Sequence, residues 1–218
     1  MKIRTLEELS DKLADDLIWR KRELSEIKSL IEQKSFSAQR HNALLRSGVC
    51  ILYSHWEGFV KLAASSYLEY VKAKRLTYNQ LSNNFLALAM KAKLREAKET
   101  NKPSSFIPVC DFFLSQLDQR CSLPETKDAI LTESNLSSDI LKEITKILGL
   151  DSFPYSTKTV LIDIKLLKSR NEIAHGNDYN EMPDREAYIE LHEEVIAMLE
   201  TFRNQIENAA ALNKFRRN

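Results

Sequence analysis

The sequence is organised around one stretch, Lys168-Ser169-Arg170-Asn171-Glu172-Ile173-Ala174-His175-Gly176. It reads as the end of an amphipathic helix that begins near Thr157, a residue type favoured at helix starts, and runs into a turn at the glycine. The stretch brings an arginine, an asparagine and a histidine together within an otherwise apolar pattern. We therefore expect the chemistry of the protein to lie here.

On an ideal helix, the apolar residues around this stretch fall on one broad arc that faces a core. Arg170 falls inside this arc, Asn171 near its edge and His175 just beyond it. An arginine on an inward face needs a partner, because a buried unpaired charge is very costly. The apolar members of the arc are Val160, Ile162, Ile164, Leu166, Leu167, Ile173 and Ala174.

The spacing of the polar residues leaves several arrangements open. Arg170 and His175 point about 140° apart on a straight helix, whereas Asn171 and His175 share a face. Arg170 and His175 therefore converge either if the helix breaks near Gly176 or if a second copy faces the first across a two-fold axis. A purely structural alternative pairs Arg170 with Asp163 and lets His175 simply end the helix.

Two segments of the chain carry a resemblance to a known family. The run from Arg170 to Gly176 resembles the signature of the HEPN superfamily, in which a histidine follows an arginine after four to six residues. The segment Leu45–Lys61, which includes Tyr-Ser-His-Trp-Glu-Gly-Phe, is similar to the second helix of the stand-alone prokaryotic, MAE-like branch. The resemblance extends from about Leu6 to Phe202.

The resemblance implies an all-α, HEPN-like bundle that forms a homodimer with the motif at the interface. It also implies a metal-independent endoribonuclease that acts as a toxin or in antiviral defence, under the control of an antitoxin or defence-system partner. Arg170, Asn171 and His175 are then the catalytic residues. Their chemistry suits RNA, since histidine transfers protons near neutral pH and arginine holds phosphate. Attack by the 2′-hydroxyl leaves a 2′,3′-cyclic phosphate and a 5′-hydroxyl.

A second interpretation remains open, because many HEPN-like domains bind RNA, nucleotides or proteins without cutting. Arg170 and His175 then hold a ligand or a dimer interface. The sequence also departs from the HEPN toxins that a nucleotidyltransferase silences, which carry tyrosine two residues after the motif histidine. Asn177 occupies that position here, and the nearest tyrosine is Tyr179.

The charge balance restricts where RNA can bind. The chain has 32 basic and 31 acidic residues and a net charge of +1, so an RNA site must be a local patch. The candidates are Lys168 in the motif and the cluster Lys91, Lys93 and Arg95 towards the end of a helix. Lysines at a helix end also have a structural explanation, because they interact favourably with the helix dipole.

Other classes of protein are excluded by what the sequence lacks. No apolar run is long enough to span a membrane, and the first residues do not read as a signal peptide. Cys50, Cys110 and Cys121 have no metal-binding spacing, which favours reduced thiols in the cytoplasm. There is no glycine-rich phosphate loop and no zinc cluster. We therefore expect no cofactor, no metal and no membrane partner.

Apolar residues that step by three, four and seven predict one long helix from Leu6 to Ile31 and a second helix that ends near Lys74. In the second helix, apolar residues cover more than half the circumference, which is typical of the buried centre of a bundle. Further signals mark helix ends. They are Ser35 or Ser37, Ser137 or Ser138 and Asp184 as N-caps, with Gly149 as a terminator.

The whole pattern predicts an all-α bundle of about five to seven helices. We expect one domain over residues 1–212 and a frayed tail over residues 213–218. A third helix is predicted to begin at Thr77 or Asn79. Residues 106–131 are less periodic and predict a family-specific elaboration in the middle of the chain.

Two further residues are candidates for supporting roles at the site. Glu57 on the second helix either supports Arg170 or forms an ordinary pair with Lys61, one turn away. Tyr179, in the loop after the motif, either stacks on a base or belongs to a plain connector. His55 lies on the apolar arc of the second helix, where a hydrogen-bonded core residue is the expected interpretation.

Overall fold

A computed structural model describes residues 3–98, 102–130, 135–177 and 183–217. These residues fold mainly into helices, and the extended pairing among them is limited to two isolated β-bridges. The predicted all-α class is therefore confirmed. The helices are α1 (Leu6–Glu32), α2 (Ala38–Ala73), α3 (Asn83–Lys98), α4 (Ile107–Asp111), α5 (Thr126–Ala129), α6 (Ser138–Leu148), α7 (Ser169–Ala174) and α8 (Arg185–Ala211).

The long helix α2 forms the centre of the bundle. It packs against α1 and α8, which also contact each other, and α7 lies on it as well. The predicted spacing of α1 is confirmed, because Leu9, Leu13 and Leu24 are completely buried against this core. Among the described residues, no helix combines the length and the apolar character needed to cross a membrane.

Several predicted helix ends are confirmed. Ser37, Ser137 and Asp184 are N-caps whose side chains accept hydrogen bonds from backbone N–H groups. Gly149 ends α6 in the left-handed conformation, with a φ of 68°. Polar caps and a terminal glycine therefore identified these ends from the sequence alone.

The predicted start of the third helix is wrong. Thr77 caps only a short 3₁₀ turn, Tyr78–Gln80, and α3 begins at Asn83. The N–H groups of Tyr78 and Asn79 donate to carbonyls of the middle region at 3.2 and 2.9 Å. These bonds hold the backbone in a turn, which delays the start of the α-helix.

The middle region forms the predicted elaboration. Tyr78, Met90 and Phe112 make a small apolar cluster beside the main core. The rings of Tyr78 and Phe112 meet edge to face, with centroids 4.7 Å apart. Phe112 opens a π-helical stretch, Phe112–Gln116, that continues α4.

The tail of the chain is packed and not frayed, at least through Arg217. Phe215 is completely buried and its ring lies 5.9 Å from that of Tyr70. Its carbonyl accepts a hydrogen bond from the N–H of Ser82 at 2.9 Å. The prediction of a frayed segment at 213–218 overlooked that one aromatic side chain can anchor a short polar tail.

The helix before the motif differs from the predicted arc. Residues Leu161–Lys168 are π-helical and lead into α7. Ile162 and Leu166 are completely buried, whereas Val160 and Ile164 are exposed. Val160 and Ile164 lie about 120–160° from Ile162 and Leu166 even on an ideal α-helix, at about 100° per residue. The predicted arc was therefore too broad, and it is the side with Ile162 and Leu166 that faces the core.

Candidate functional site

Arg170 is held by an amide and an aromatic ring. Its Nη2 donates to Asn135 Oδ1 at 2.5 Å, and its guanidinium carbon lies 4.3 Å from the centroid of the Tyr53 ring. Its Nε is buried and has no hydrogen-bond partner in the described part of the chain. Within these residues no carboxylate pairs with Arg170, so its positive charge stays available to an anion.

The structural alternative for Arg170 is wrong. Asp163 does not pair with it, because its carboxylate accepts hydrogen bonds from the backbone N–H and the hydroxyl of Ser138 at 2.7 and 2.5 Å. Asp163 therefore fixes the start of α6. The sequence correctly indicated that Arg170 needs a partner, but that partner comes from α2 and the segment before α6.

Tyr53 connects the motif to the core. Its side chain is almost completely buried, and its hydroxyl accepts a hydrogen bond from the N–H of Leu136 at 2.7 Å. Burial raises the pKa of Tyr53, and the neighbouring Arg170 opposes this shift. The sequence did not single out Tyr53 or Asn135. The only signal was that Tyr53 lies within the segment that resembles the second HEPN helix.

His175 ends α7 with an exposed side chain. Its backbone N–H still donates to the carbonyl of Asn171 at 3.0 Å, so the residue keeps the helical register. Because the register persists through His175, its side chain and that of Arg170 project in different directions. A break at Gly176 comes too late to bring the two side chains together.

The turn after His175 is fixed by hydrogen bonds. Gly176 has a φ of 74°, and its N–H donates to the carbonyl of Ile173 at 3.1 Å. The N–H of Asn177 donates to the carbonyl of Glu172 at 3.0 Å, which completes a Schellman motif. Arg46 of α2 donates from Nη2 to the carbonyl of Asn177 at 3.1 Å. The predicted role of Gly176 after the helix cap is confirmed.

The outer face of the motif helix carries the remaining polar residues. Lys168, Asn171 and His175 follow one another at three- and four-residue spacing, which places them on one face. Lys168 and His175 are exposed and Asn171 is partly exposed. The site therefore has an inner side with Arg170 and an outer side with His175.

A line of residues on α2 lies under the motif at helical spacing: Arg46, Cys50, Tyr53 and Glu57. Burial raises the pKa of the Cys50 thiol, and the positive charges of Arg170 and Arg46 act in the opposite direction. The guanidinium groups of Arg170 and Arg46 therefore both favour the thiolate form of Cys50, against the effect of burial. In the described residues, no three His, Cys, Asp or Glu side chains form a cluster suited to a metal ion.

Glu57, the last residue of this line, pairs with a lysine. Its carboxylate is 2.8 Å from Lys61 Nζ, as the alternative interpretation expected. Its charge also acts on Tyr53, one turn away, and raises the pKa of that phenol further. Glu57 is thus next to the tyrosine that holds Arg170, and a supporting role for it stays a prediction.

The candidate RNA-binding cluster lies on a different helix from the motif. Lys91 and Arg95 are exposed on α3, and Lys93 lies within the same helix. Helix α3 packs on α6 and the middle region, whereas α7 packs on α2. RNA contact by this cluster stays a prediction. Tyr179 lies outside the described residues.

His55 is a core residue, as expected. It is 4 % exposed, and its Nε2 is 2.7 Å from Glu23 Oε2. Its Nδ1 is 3.3 Å from Nη1 of Arg20, which pairs in turn with Asp16. Burial lowers the pKa of His55. Its contacts serve the packing of α1 on α2 and do not reach the motif.

One comparison with known proteins identifies a family. The chain matches the HEPN_MAE_28990 family model, which describes an MAE-like HEPN domain, over residues 9–215. No curated protein and no solved structure matches it. The match includes α2 and the arginine–histidine motif, which are the two parts that build the site. The chain therefore belongs to the MAE-like HEPN family.

Proposed function

We propose that the protein is a metal-independent endoribonuclease whose catalytic residues are Arg170, Asn171 and His175. The observation that carries the proposal is the state of Arg170, which is stacked on Tyr53 without a carboxylate partner among the described residues. A preorganised guanidinium of this kind suits a phosphate that gains negative charge during the reaction.

The proposed reaction needs proton transfer at two oxygens. His175 takes the proton of the ribose 2′-hydroxyl, which attacks phosphorus and forms the cyclic phosphate. A second, protonated histidine gives a proton to the departing 5′-oxygen, so the products are a 2′,3′-cyclic phosphate and a 5′-hydroxyl. Arg170 stabilises the negative charge on the phosphorane, and no step requires a metal ion.

The second histidine comes from a second copy of the chain in this proposal. Arg170 and His175 of one copy project in different directions, because the helical register persists through His175. A two-fold arrangement of two α7 helices brings His175 of one copy to Arg170 of the other. Asn171 shares the face of His175 and orients either its ring or the phosphate. Lys168, on the same face, contacts the RNA backbone.

Mixing wild type with an inactive variant tests this arrangement. We expect wild type refolded with an equal amount of His175→Ala to keep about a quarter of the activity of the same total amount of wild type. Only about a quarter of the dimers then hold two wild-type chains, and only these carry both histidines that the reaction needs. Each chain refolded alone is the control. About half of the activity, although mixed dimers form, contradicts a shared site.

A second mixture gives an independent check. Wild type refolded with an excess of the Arg170→Ala/His175→Ala double variant loses its activity if each site needs both copies. If one copy forms a complete site, every wild-type chain stays active. RNA binding by wild type without any cleavage supports the alternative, a non-catalytic HEPN-like module that binds RNA, nucleotides or proteins.

We extend the proposal to the biological setting that the family resemblance implies. A ribonuclease of this type acts in the prokaryotic cytoplasm as a toxin or in antiviral defence, and an antitoxin or another defence-system protein controls it. Growth arrest on expression of the wild-type chain, absent with His175→Ala, is the expected result.

A further inference from the structure

Three side chains close around the turn that carries His175. Arg46 donates from Nη2 to the carbonyl of Asn177 at 3.1 Å, and Asn177 Nδ2 donates to Glu172 Oε2 at 2.6 Å. The backbone N–H of Asn177 also donates to the carbonyl of Glu172 at 3.0 Å. Arg46, Glu172 and Asn177 thus form a latch that ties the end of α7 to α2.

Packing contributes little to this turn. His175 and Gly176 are exposed, and a Cβ added to Gly176 would meet no atom within 4 Å. Segments with few apolar contacts open readily, so hydrogen bonds hold the turn in place, and those of the latch are the ones that side chains supply. The residues between Glu172 and Asn177 include His175, which the latch therefore encloses.

One helix holds both halves of the motif. Arg46 and Tyr53 are seven residues apart on the same face of α2, about 10 Å along the helix axis. Tyr53 holds Arg170 through its ring, and Arg46 holds the turn of His175 through Asn177. Helix α2 is the central helix of the bundle, so these contacts hold the arginine and the histidine relative to the same support.

We propose that Arg46, Glu172 and Asn177 are positioning residues for His175, and this inference rests on the proposed ribonuclease function. Loss of the latch leaves the imidazole chemically intact but lets its position vary. A misplacement of about 1 Å costs on the order of 10²-fold in rate. Breaking the latch therefore lowers kcat by about 10- to 100-fold and leaves the affinity for RNA unchanged.

An exchange of the two hydrogen-bonding groups tests the latch. Asn177→Asp places a carboxylate against Glu172 and lowers kcat. Adding Glu172→Gln to this variant restores the hydrogen bond, because the new amide donates to the new carboxylate, with the net charge of the wild type. We expect kcat of the double variant to return close to the wild-type value. Glu172→Gln alone retains an acceptor and has a small effect.

The contact from α2 has its own test. Arg46→Ala lowers kcat, whereas Arg40→Ala, on the same helix but stacked on Phe36, is the matched control and leaves kcat unchanged. If Arg46 instead contacts an RNA phosphate directly, Arg46→Ala raises KM. It also reduces the slope of the logarithm of the RNA-binding constant against the logarithm of the salt concentration by about 0.7. That result overturns the positioning role of Arg46.

Failure of the latch and failure of the proposed function give different experimental results. Unchanged kcat in Asn177→Asp and Arg46→Ala, or no recovery in the double variant, overturns the latch while cleavage by wild type upholds the ribonuclease. If wild type cuts no RNA, the proposed function fails, and amide hydrogen exchange still decides the latch. We expect the protection of the backbone N–H at position 177 to fall in Asn177→Asp and to return in the double variant. Equal protection of this N–H in wild type and both variants overturns the latch.

Discussion

The guanidinium carbon of Arg170 lies 4.3 Å from the centroid of the Tyr53 ring. Through this contact the central helix α2 sets the position of the motif arginine. The ring also gives the cation a favourable surface without neutralising it, as a carboxylate would. The charge of Arg170 is therefore both held in place and left available to bind an anion.

Two substitutions of Tyr53 distinguish the role of its ring from the role of its hydroxyl. Tyr53→Leu removes the surface under Arg170, and we expect cleavage to fall by about 5- to 30-fold, in line with a cation–π contact of about 1–2 kcal/mol. Tyr53→Phe keeps the ring but leaves the N–H of Leu136 without its acceptor. It destabilises the fold by about 1–3 kcal/mol, with cleavage per folded molecule retained. Cleavage assays and urea unfolding measure both effects, and equal activity of the two variants contradicts a role for the ring.

His192 makes the stability of the fold sensitive to acid. It is 6 % exposed and lies beside Lys28 of α1. Burial lowers its pKa, and Lys28 lowers it further, whereas Glu193, Glu32 and a hydrogen bond with the backbone of Leu24 act in the opposite direction. The folded protein therefore resists protonation of His192 where the unfolded chain, with an ordinary pKa of about 6.5, accepts it.

The lowered pKa of His192 in the folded protein makes the fold less stable in acid. Below about pH 6.5 the unfolded chain binds more protons, so the free energy of unfolding falls as the pH decreases. The loss levels off below the lowered pKa of the folded state. We expect His192→Gln to show a smaller loss between pH 7.5 and 5.5 in urea unfolding. His55, whose pKa is also lowered by burial, contributes in the same sense and remains in the variant. An unchanged pH dependence contradicts the assignment to His192.

Gly48 allows α2 and α8 to approach closely. A Cβ at this position would lie 2.7 Å from Tyr188 Cε2 and 2.8 Å from Ile31 Cδ1. Alanine is the better helix former by about 1 kcal/mol, but overpacking a core costs about 1–3 kcal/mol, so we expect Gly48→Ala to be destabilising. Thermal unfolding measures the effect, with Ser47→Ala on the exposed side as the control. A stabilised Gly48→Ala variant shows that the ring of Tyr188 moves aside freely.

The parts of the fold that the sequence predicted rest on local signals. The long helices α1 and α2 follow from apolar spacing, and the caps Ser37 and Asp184 from side chains that bond within three residues. Gly176 was identifiable because a left-handed residue after a helix favours glycine. In each case the determining contact lies within one or two helical turns.

The parts that were missed depend on distant or irregular contacts. Asn135 is 35 residues from Arg170, and Arg46 is 131 residues from Asn177, so no local pattern reports either contact. The π-helical stretch Leu161–Lys168 changes the angle between successive side chains, which an ideal α-helix cannot anticipate. The sequence thus indicated which motif residues matter but not what holds them.

The most direct test of the central claim is cleavage of a mixed RNA pool in EDTA by wild type and by His175→Ala, with analysis of the RNA ends. We predict cleavage that leaves 5′-hydroxyl ends and cyclic phosphates, reduced by about 10²- to 10⁴-fold in the variant. The exposed position of His175 predicts that the variant unfolds at the same temperature as wild type. Cleavage by His175→Ala at the wild-type rate would contradict the account.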